Sequence, residues 1–210
     1  TLARRHQKSR EYQDQGDTEG DFLTAWIDHG KAPAAGGYEY LLMVRATSEA
    51  IEGLAARPPY HVVQRDAAAH IVWDTTGRRW SCALFAPQEV APHTVATETL
   101  PIKTVDRPCL VMAAAVGDGR LEMTVADPDL NLGRAAGVSS DNGGLFAQPP
   151  RPLRVTLRGS WHVREATGTV CAWRLPEASE NVRIVSASAA QTVLEILCQH
   201  GASYDVGLAR

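Results

Sequence analysis

At 210 residues, with 44% hydrophobic and 21% charged residues, the chain has ordinary globular composition and enough length to bury a real core. Its formal net charge of -3 excludes capture of polyanions by overall charge, so any groove for an acidic polymer has to be a local basic patch. No apolar run approaches the ~20 residues that cross a bilayer, and no nucleic-acid motif accompanies the acidic balance.

The chain opens with Thr1 and no apolar signal-like segment, so it is expected to be a processed or excised piece. Residues Thr1 to Asp21 are polar and carry Arg4, Arg5, Lys8 and Arg10 ahead of an acidic, glycine-containing stretch, the pattern of a solvated arm or long loop. Phe22 to Asp28 reads as a strand and Tyr38 to Val44 as a second, separated by a loop that Gly30, Pro33, Gly36 and Gly37 interrupt. Thr47 to Arg57 is the one helix expected. Thr47 or Ser48 caps it, Glu49 and Glu52 complement its dipole, and Ile51, Leu54 and Ala55 form its apolar stripe. Pro58 and Pro59 stop it.

From Tyr60 the pattern turns to β. Tyr60 to Gln64, His70 to Asp74 and Arg79 to Phe85 are rich in β-branched and aromatic residues, and Thr75-Thr76-Gly77 turns the last two into a hairpin. Ala86 to Arg107, with Pro87, Pro92 and Pro101, is expected to link two β units. Cys109 to Val116 and Arg120 to Ala126 flank Gly117-Asp118-Gly119, a hairpin signal. After a Gly/Pro/Ser/Asn-rich loop over Asp127 to Pro152, Leu153, Val155 and Leu157 alternate with Arg154, Thr156 and Arg158, the period-2 mark of a half-buried strand. Val163 to Glu165, Thr169 to Leu175, Asn181 to Ser188 and Thr192 to Gln199 continue the series. The expected fold is antiparallel β with one helix.

Several residue sets carry chemistry. Cys82, Cys109, Cys171 and Cys198 are widely spaced with no C-x-x-C pair, which argues against zinc and redox motifs, and their apolar segments favour buried thiols over one or two disulfides in an exported protein. His29 with Tyr38 and Tyr40 could supply a base and an acid, although loop anchoring and strand packing are the preferred reading. Asp127-Pro128-Asp129-Leu130-Asn131 resembles the start of a calcium loop, but Leu132 and Val138 stand where an EF-hand needs glycine and glutamate, leaving an acidic turn. Two basic clusters, Arg4-Arg5-His6-Lys8 and Arg151/Arg154/Arg158/Arg164, could meet sulfate or carboxylate, against solvated or sheet-face roles. Of Trp26, Trp73, Trp80, Trp161 and Trp173, most are expected in the core. Trp161, after Gly159-Ser160, is the one expected at the surface.

The stretch Ala25-Trp26-Ile27-Asp28-His29-Gly30, then Pro33, then Tyr38-Glu39-Tyr40, resembles the W-I-D-H-G…P…Y-x-Y signature of polysaccharide lyase family 8, and within it the chondroitinase ABC type. Arg5-His6-Gln7, Thr18-Glu19-Gly20, Tyr60 to Asp66 and Asp127 to Asn131 support the resemblance in the family's order. It implies an all-β chain: an antiparallel β-sandwich ending a super-sandwich domain (residues 1–100), then a smaller C-terminal β-sandwich domain (101–210), with one short helix. It further implies β-elimination on chondroitin or dermatan sulfate, with hyaluronan as a further candidate. His29 matches a structural position of the family, so the catalytic residues lie upstream and none is expected in this chain, nor any metal or other cofactor. A divalent cation in the missing part is left open. Arg5, His6 and Gln7 are the substrate-binding candidates. The expected partners are the upstream catalytic portion and a glycosaminoglycan, with no nucleic acid and no membrane, in a secreted or periplasmic setting. The alternative is a non-catalytic carbohydrate-binding β-sandwich module.

Overall fold

The computed structural model describes residues 2–9, 16–34, 36–129, 149–170, 173–174, 178–199 and 201–210. It parts into two compact units, Thr1–Glu52 and Gly53–Arg210. The division expected at residue 100 does not coincide with them, because strands from either side of it share both large sheets of the second unit.

In the first unit β1 (Leu2–Ser9) pairs antiparallel with β2 (Thr18–Ala25), from Leu2 opposite Ala25 to Ser9 opposite Thr18. Of the solvated arm expected over residues 1–21, the described residues are largely exposed but form β1 and the start of β2. Opposite charges meet across the ribbon: Arg4 reaches Asp21 at 2.6 Å and Lys8 reaches Glu19 at 2.7 Å. β2 ends at Ala25, before Asp28, whose Oδ1 accepts the Gly30 N–H at 2.8 Å and turns the chain there. Tyr38 to Val44 is not a strand, contrary to its alternation. Side chains of both parities are exposed there, Leu41 and Met43 as well as Tyr38, Tyr40, Leu42 and Val44. An extended segment becomes a strand only with a neighbour to pair with, and none is present among the described residues.

The helix α1 (Ser48–Ala56) follows its sequence signals. Thr47 Oγ1 accepts the Ala50 N–H at 3.2 Å, and Arg57 N–H still bonds Gly53 O before Pro58 ends the helix.

The second unit contains β3 (Tyr60–Arg65), β4 (Ala69–Asp74), β5 (Arg79–Leu84), β6 (Gln88–Glu89), β7 (Thr94–Val95), β8 (Glu98–Thr99), β9 (Ile102–Val105), β10 (Cys109–Gly117) and β11 (Arg120–Ala126). Then come β12 (Arg151–Arg158), β13 (His162–Val170), β14 (Trp173–Arg174), β15 (Val182–Ala187), β16 (Gln191–Cys198) and β17 (Ser203–Ala209), with a 3-10 turn at Ala178–Asn181. An eight-stranded sheet runs β14-β13-β17-β11-β10-β5-β4-β3 and a five-stranded one β15-β16-β12-β9-β6. All the pairings among the described residues are antiparallel: β4–β5 and β10–β11 as hairpins, β12–β16 and β13–β17 between strands distant in sequence.

The expected link over Ala86 to Arg107 carries four short strands instead. Val90, Leu100, Ile102 and Val105 are all buried, so β9 is drawn into the five-stranded sheet beside β12. Leu153, Val155 and Leu157 are fully buried, as their alternation requires, and meet Ile71, Trp73, Val111, Tyr204 and Leu208 of the larger sheet in one core. The two sheets thus form an antiparallel sandwich. Gly117, Asp118 and Gly119 all take positive φ in the β10–β11 turn, where glycine is at ease and aspartate tolerates the strain.

Candidate functional site

The ribbon that carries Arg5-His6-Gln7 divides the three residues. A strand alternates its side chains, so Arg5 and Gln7 share one face, where Arg5 lies opposite Phe22 and Gln7 opposite Gly20. His6 is on the other face, opposite Asp21, with Nδ1 3.2 Å from Asp21 Oδ1 and Nε2 3.8 Å from Glu19 Oε2. All three side chains are exposed. Of the trio, the structure groups only Arg5 with Gln7.

The loop beyond β2 does gather its aromatic residues. His29 and Tyr38 rings are 6.0 Å apart and tilted by 37°, and Tyr38 stacks on Tyr40 at 5.9 Å and 24°. Gly36 lies against the His29 ring, where a Cβ would stand 3.4 Å from Nδ1, a van der Waals contact. Tyr38 and Tyr40 are 61% and 70% exposed, so this is ring packing in solvent. Abstracting a proton beside a carboxylate needs a donor set aimed at the developing charge in a water-poor cleft. An open ring stack supplies anchoring and contact area.

In the second unit three of the four arginines expected on a polar sheet face, Arg151, Arg154 and Arg158, are tied to carboxylates or carbonyls. Arg154 Nε donates to Glu195 Oε2 and Arg183 Nε to Glu195 Oε1, both at 2.9 Å. The hydrogen bonds from Arg183 and Arg154 hold the Glu195 carboxyl below its ordinary range. Arg151 reaches Asp127 at 3.3 Å and Asp129 at 2.7 Å, and Arg107 stands 3.6 Å from Asp127. Arg158 donates to the carbonyls of Ile102 and Val90, the latter at 2.6 Å. Arg164 is exposed, at a register shift of β13.

Asp127 is buried, and its Oδ1 accepts the Asp129 N–H at 2.9 Å, so an acidic turn closes β11. Leu130, Asn131, Leu132 and Val138 lie outside the described residues. Among the described residues no group of three acidic, histidine or cysteine side chains could hold a metal ion. Cys82, Cys109 and Cys198 are free and buried, and burial pushes each thiol up to about 12. Cys171 and the Trp173 side chain lie outside the described residues.

The tryptophans correct one expectation. Trp161 is 8% exposed and belongs to the core, its Nε1 donating to Arg158 O at 2.7 Å and its N–H to Thr192 Oγ1 at 2.8 Å. The preceding glycine, with φ +87°, bends the chain so that the indole turns inward. Among the described tryptophan side chains the exposed one is Trp26, at 41%, in the first unit. Glu195, Arg107 and Arg210 escaped the sequence reading. A glutamate between Leu194 and Ile196 in an apolar strand was the one local signal for a buried ionic node.

What stands out functionally is the first unit as a surface. None of its described residues is buried. Phe22, Leu23, Trp26, Ile27, Tyr38, Tyr40, Leu41, Leu42, Met43, Val44 and Ile51 are all exposed large hydrophobic residues. That is a density isolated soluble proteins avoid.

The chain is 34% identical over 214 residues to the chondroitin sulfate ABC exolyase of Bacteroides thetaiotaomicron, covering 94% of this chain and 19% of that protein. It is 29% identical over 174 residues to the chondroitin sulfate ABC endolyase of Proteus vulgaris, covering 80% and 15%. The xanthan lyase of Bacillus sp. (strain GL1) matches 65% of the chain at 27% identity. Among solved structures, the Streptomyces coelicolor A3 chondroitin AC lyase superposes on 100% of this chain and 24% of its own, at TM-score 0.61 and 15% identity. Paenibacillus xanthan lyase covers 99% at TM-score 0.56 and 20% identity, spanning 17% of its own chain. Both likenesses show the fold. No family model matches. The chain spans about a fifth or less of the length of the curated relatives it matches.

Proposed function

Since this chain resembles the family 8 polysaccharide lyases along nearly all its length, we propose that it is the C-terminal β portion of such a lyase. The whole protein would cleave chondroitin or dermatan sulfate, and hyaluronan as a further candidate, by β-elimination to 4,5-unsaturated uronate, as a secreted or periplasmic protein. The catalytic base and acid would be upstream, and this chain would be a scaffold that is inactive alone. Any substrate contact by Arg5, His6 and Gln7 belongs to this reading, with Arg5 and Gln7 on one face and His6 on the other.

The observation that carries it is the uncovered first unit, whose β ribbon and aromatic loop bury no described residue. A two-stranded ribbon is marginal by itself, so this unit calls for a covering partner. The relatives' much greater length supplies a candidate, the upstream portion of the same protein. In a free-standing binding module residues 1–21 would be a dispensable tail. Their eight-residue register against β2 favours the scaffold.

Hydrogen exchange tests this. Adding the upstream portion should protect the amides of 22–44 and leave the sandwich core unchanged. Equal exchange with and without it, from a chain that stays monodisperse alone, would contradict the reading.

A further inference from the structure

The second unit has a cavity of ≈ 320 Å³ lined by Trp80, Thr97 to Pro101, Ala115, Leu121, Arg158, Trp161 and Arg210. That is the size of small-ligand sites, roughly 300–1,000 Å³. Its charge pattern differs from that of every other arginine cluster described above. Arg158 is half-buried and spends its guanidinium on two backbone carbonyls, Ile102 O and Val90 O. Those partners are dipoles; the carboxylate charge that acts on Arg158, that of Glu89, is outweighed by burial. Burial accordingly pulls the Arg158 pKa down. Arg210 lies over the Trp161 ring, 5.0 Å from its centroid, and its backbone N–H is held by Gly119 O at 3.0 Å. Glu98, the carboxylate in the wall, is paired with Arg78.

Two guanidinium groups therefore line one cavity, neither in an ion pair with a side-chain carboxylate among the described residues. The cation–π contact with Trp161 holds the Arg210 guanidinium at the cavity wall. The groove on the outer face of the larger sheet has the opposite balance, Glu122, Glu165 and Asp205 against Arg79, and would repel a polyanion.

We propose that this cavity is a subsite for an oxyanion, sulfate ester or carboxylate, of an acidic saccharide, held by Arg210 with Arg158 supplying positive potential behind it. The ligand class rests on the lyase reading; the cavity and its two guanidinium groups do not. The site would hold product or a distal stretch of polymer on the scaffold without joining the chemistry.

Calorimetric titration of the 210-residue chain with a sulfated chondroitin tetrasaccharide, its unsulfated counterpart and sodium sulfate tests it. Arg210 is exposed, so Arg210→Met and Arg210→Lys leave the core intact. A saccharide should bind saturably and shift tryptophan emission, Arg210→Met should weaken binding at least tenfold, and Arg210→Lys should fall between. Preference for the sulfated or the unsulfated saccharide identifies the oxyanion, and either supports the site. Unchanged binding in Arg210→Met, no binding of either saccharide, or sodium sulfate binding as tightly as the saccharide would overturn it. None of these results bears on whether the first unit docks to an upstream portion, which hydrogen exchange reads separately.

Discussion

Trp73 and Trp80 stand directly opposite each other across the β4–β5 hairpin, their ring centroids 4.8 Å apart and tilted by 50°. Both are buried, so the pair pins the hairpin register and fills one end of the core. Trp80→Ala should cost about 3–5 kcal/mol of stability. Urea unfolding of the chain measures it, and a loss below about 1 kcal/mol would show that the pair is peripheral.

Glu195 makes stability depend on pH. Its folded-state carboxyl titrates below the unfolded one because Arg183 and Arg154 bind the charged form. The sign follows: the contribution is present above the ordinary carboxylate range and is lost as pH falls through the folded value. Wild-type protein should therefore lose stability on acidification more steeply than Glu195→Gln, which starts less stable at neutral pH. Parallel curves of denaturation midpoint against pH would contradict this.

The thiols of Cys82, Cys109 and Cys198, pushed up to about 12 by burial, should resist alkylation in the native chain near neutral pH. Mapping the modified peptides should find these three labelled only after denaturation. Native labelling at a comparable rate would mean that the core around β5, β10 and β16 opens.

Leu42 and Val44 are each 81% exposed. Leu42→Ser and Val44→Ser should change the chain's own stability by no more than about 0.5 kcal/mol. If these side chains are covered in the whole protein, each substitution should weaken association with the upstream portion by about tenfold, on the order of 1.4 kcal/mol. Unchanged association would place the docking face elsewhere.

Most of the second unit was legible because its signals are local, the proline-rich Ala86 to Arg107 stretch and Trp161 excepted. Leu153, Val155 and Leu157 alternate in sequence and are buried in structure, and Gly117-Asp118-Gly119 makes the turn it advertises. The first unit was read in reverse. β1 has no apolar alternation because charges across the ribbon hold it, and the information about its pairing sits in Glu19 and Asp21, well along the chain. Tyr38 to Val44 has the alternation of a strand but no neighbour to pair with among the described residues; an apolar period reports a face to be covered and does not name the cover. The same limit hid the oxyanion cavity. Arg210 meets Trp161 only through the β13–β17 and β11–β17 pairings that bring the final strand back across the sheet.

The most direct test of the scaffold account is release of unsaturated uronate from chondroitin sulfate and hyaluronan, followed by ultraviolet absorbance. The chain should give no signal alone and the complex with its upstream portion should give a steady rise. Turnover by the purified chain alone, abolished by His29→Ala or Tyr38→Phe, would place the chemistry in the open ring stack and contradict the account.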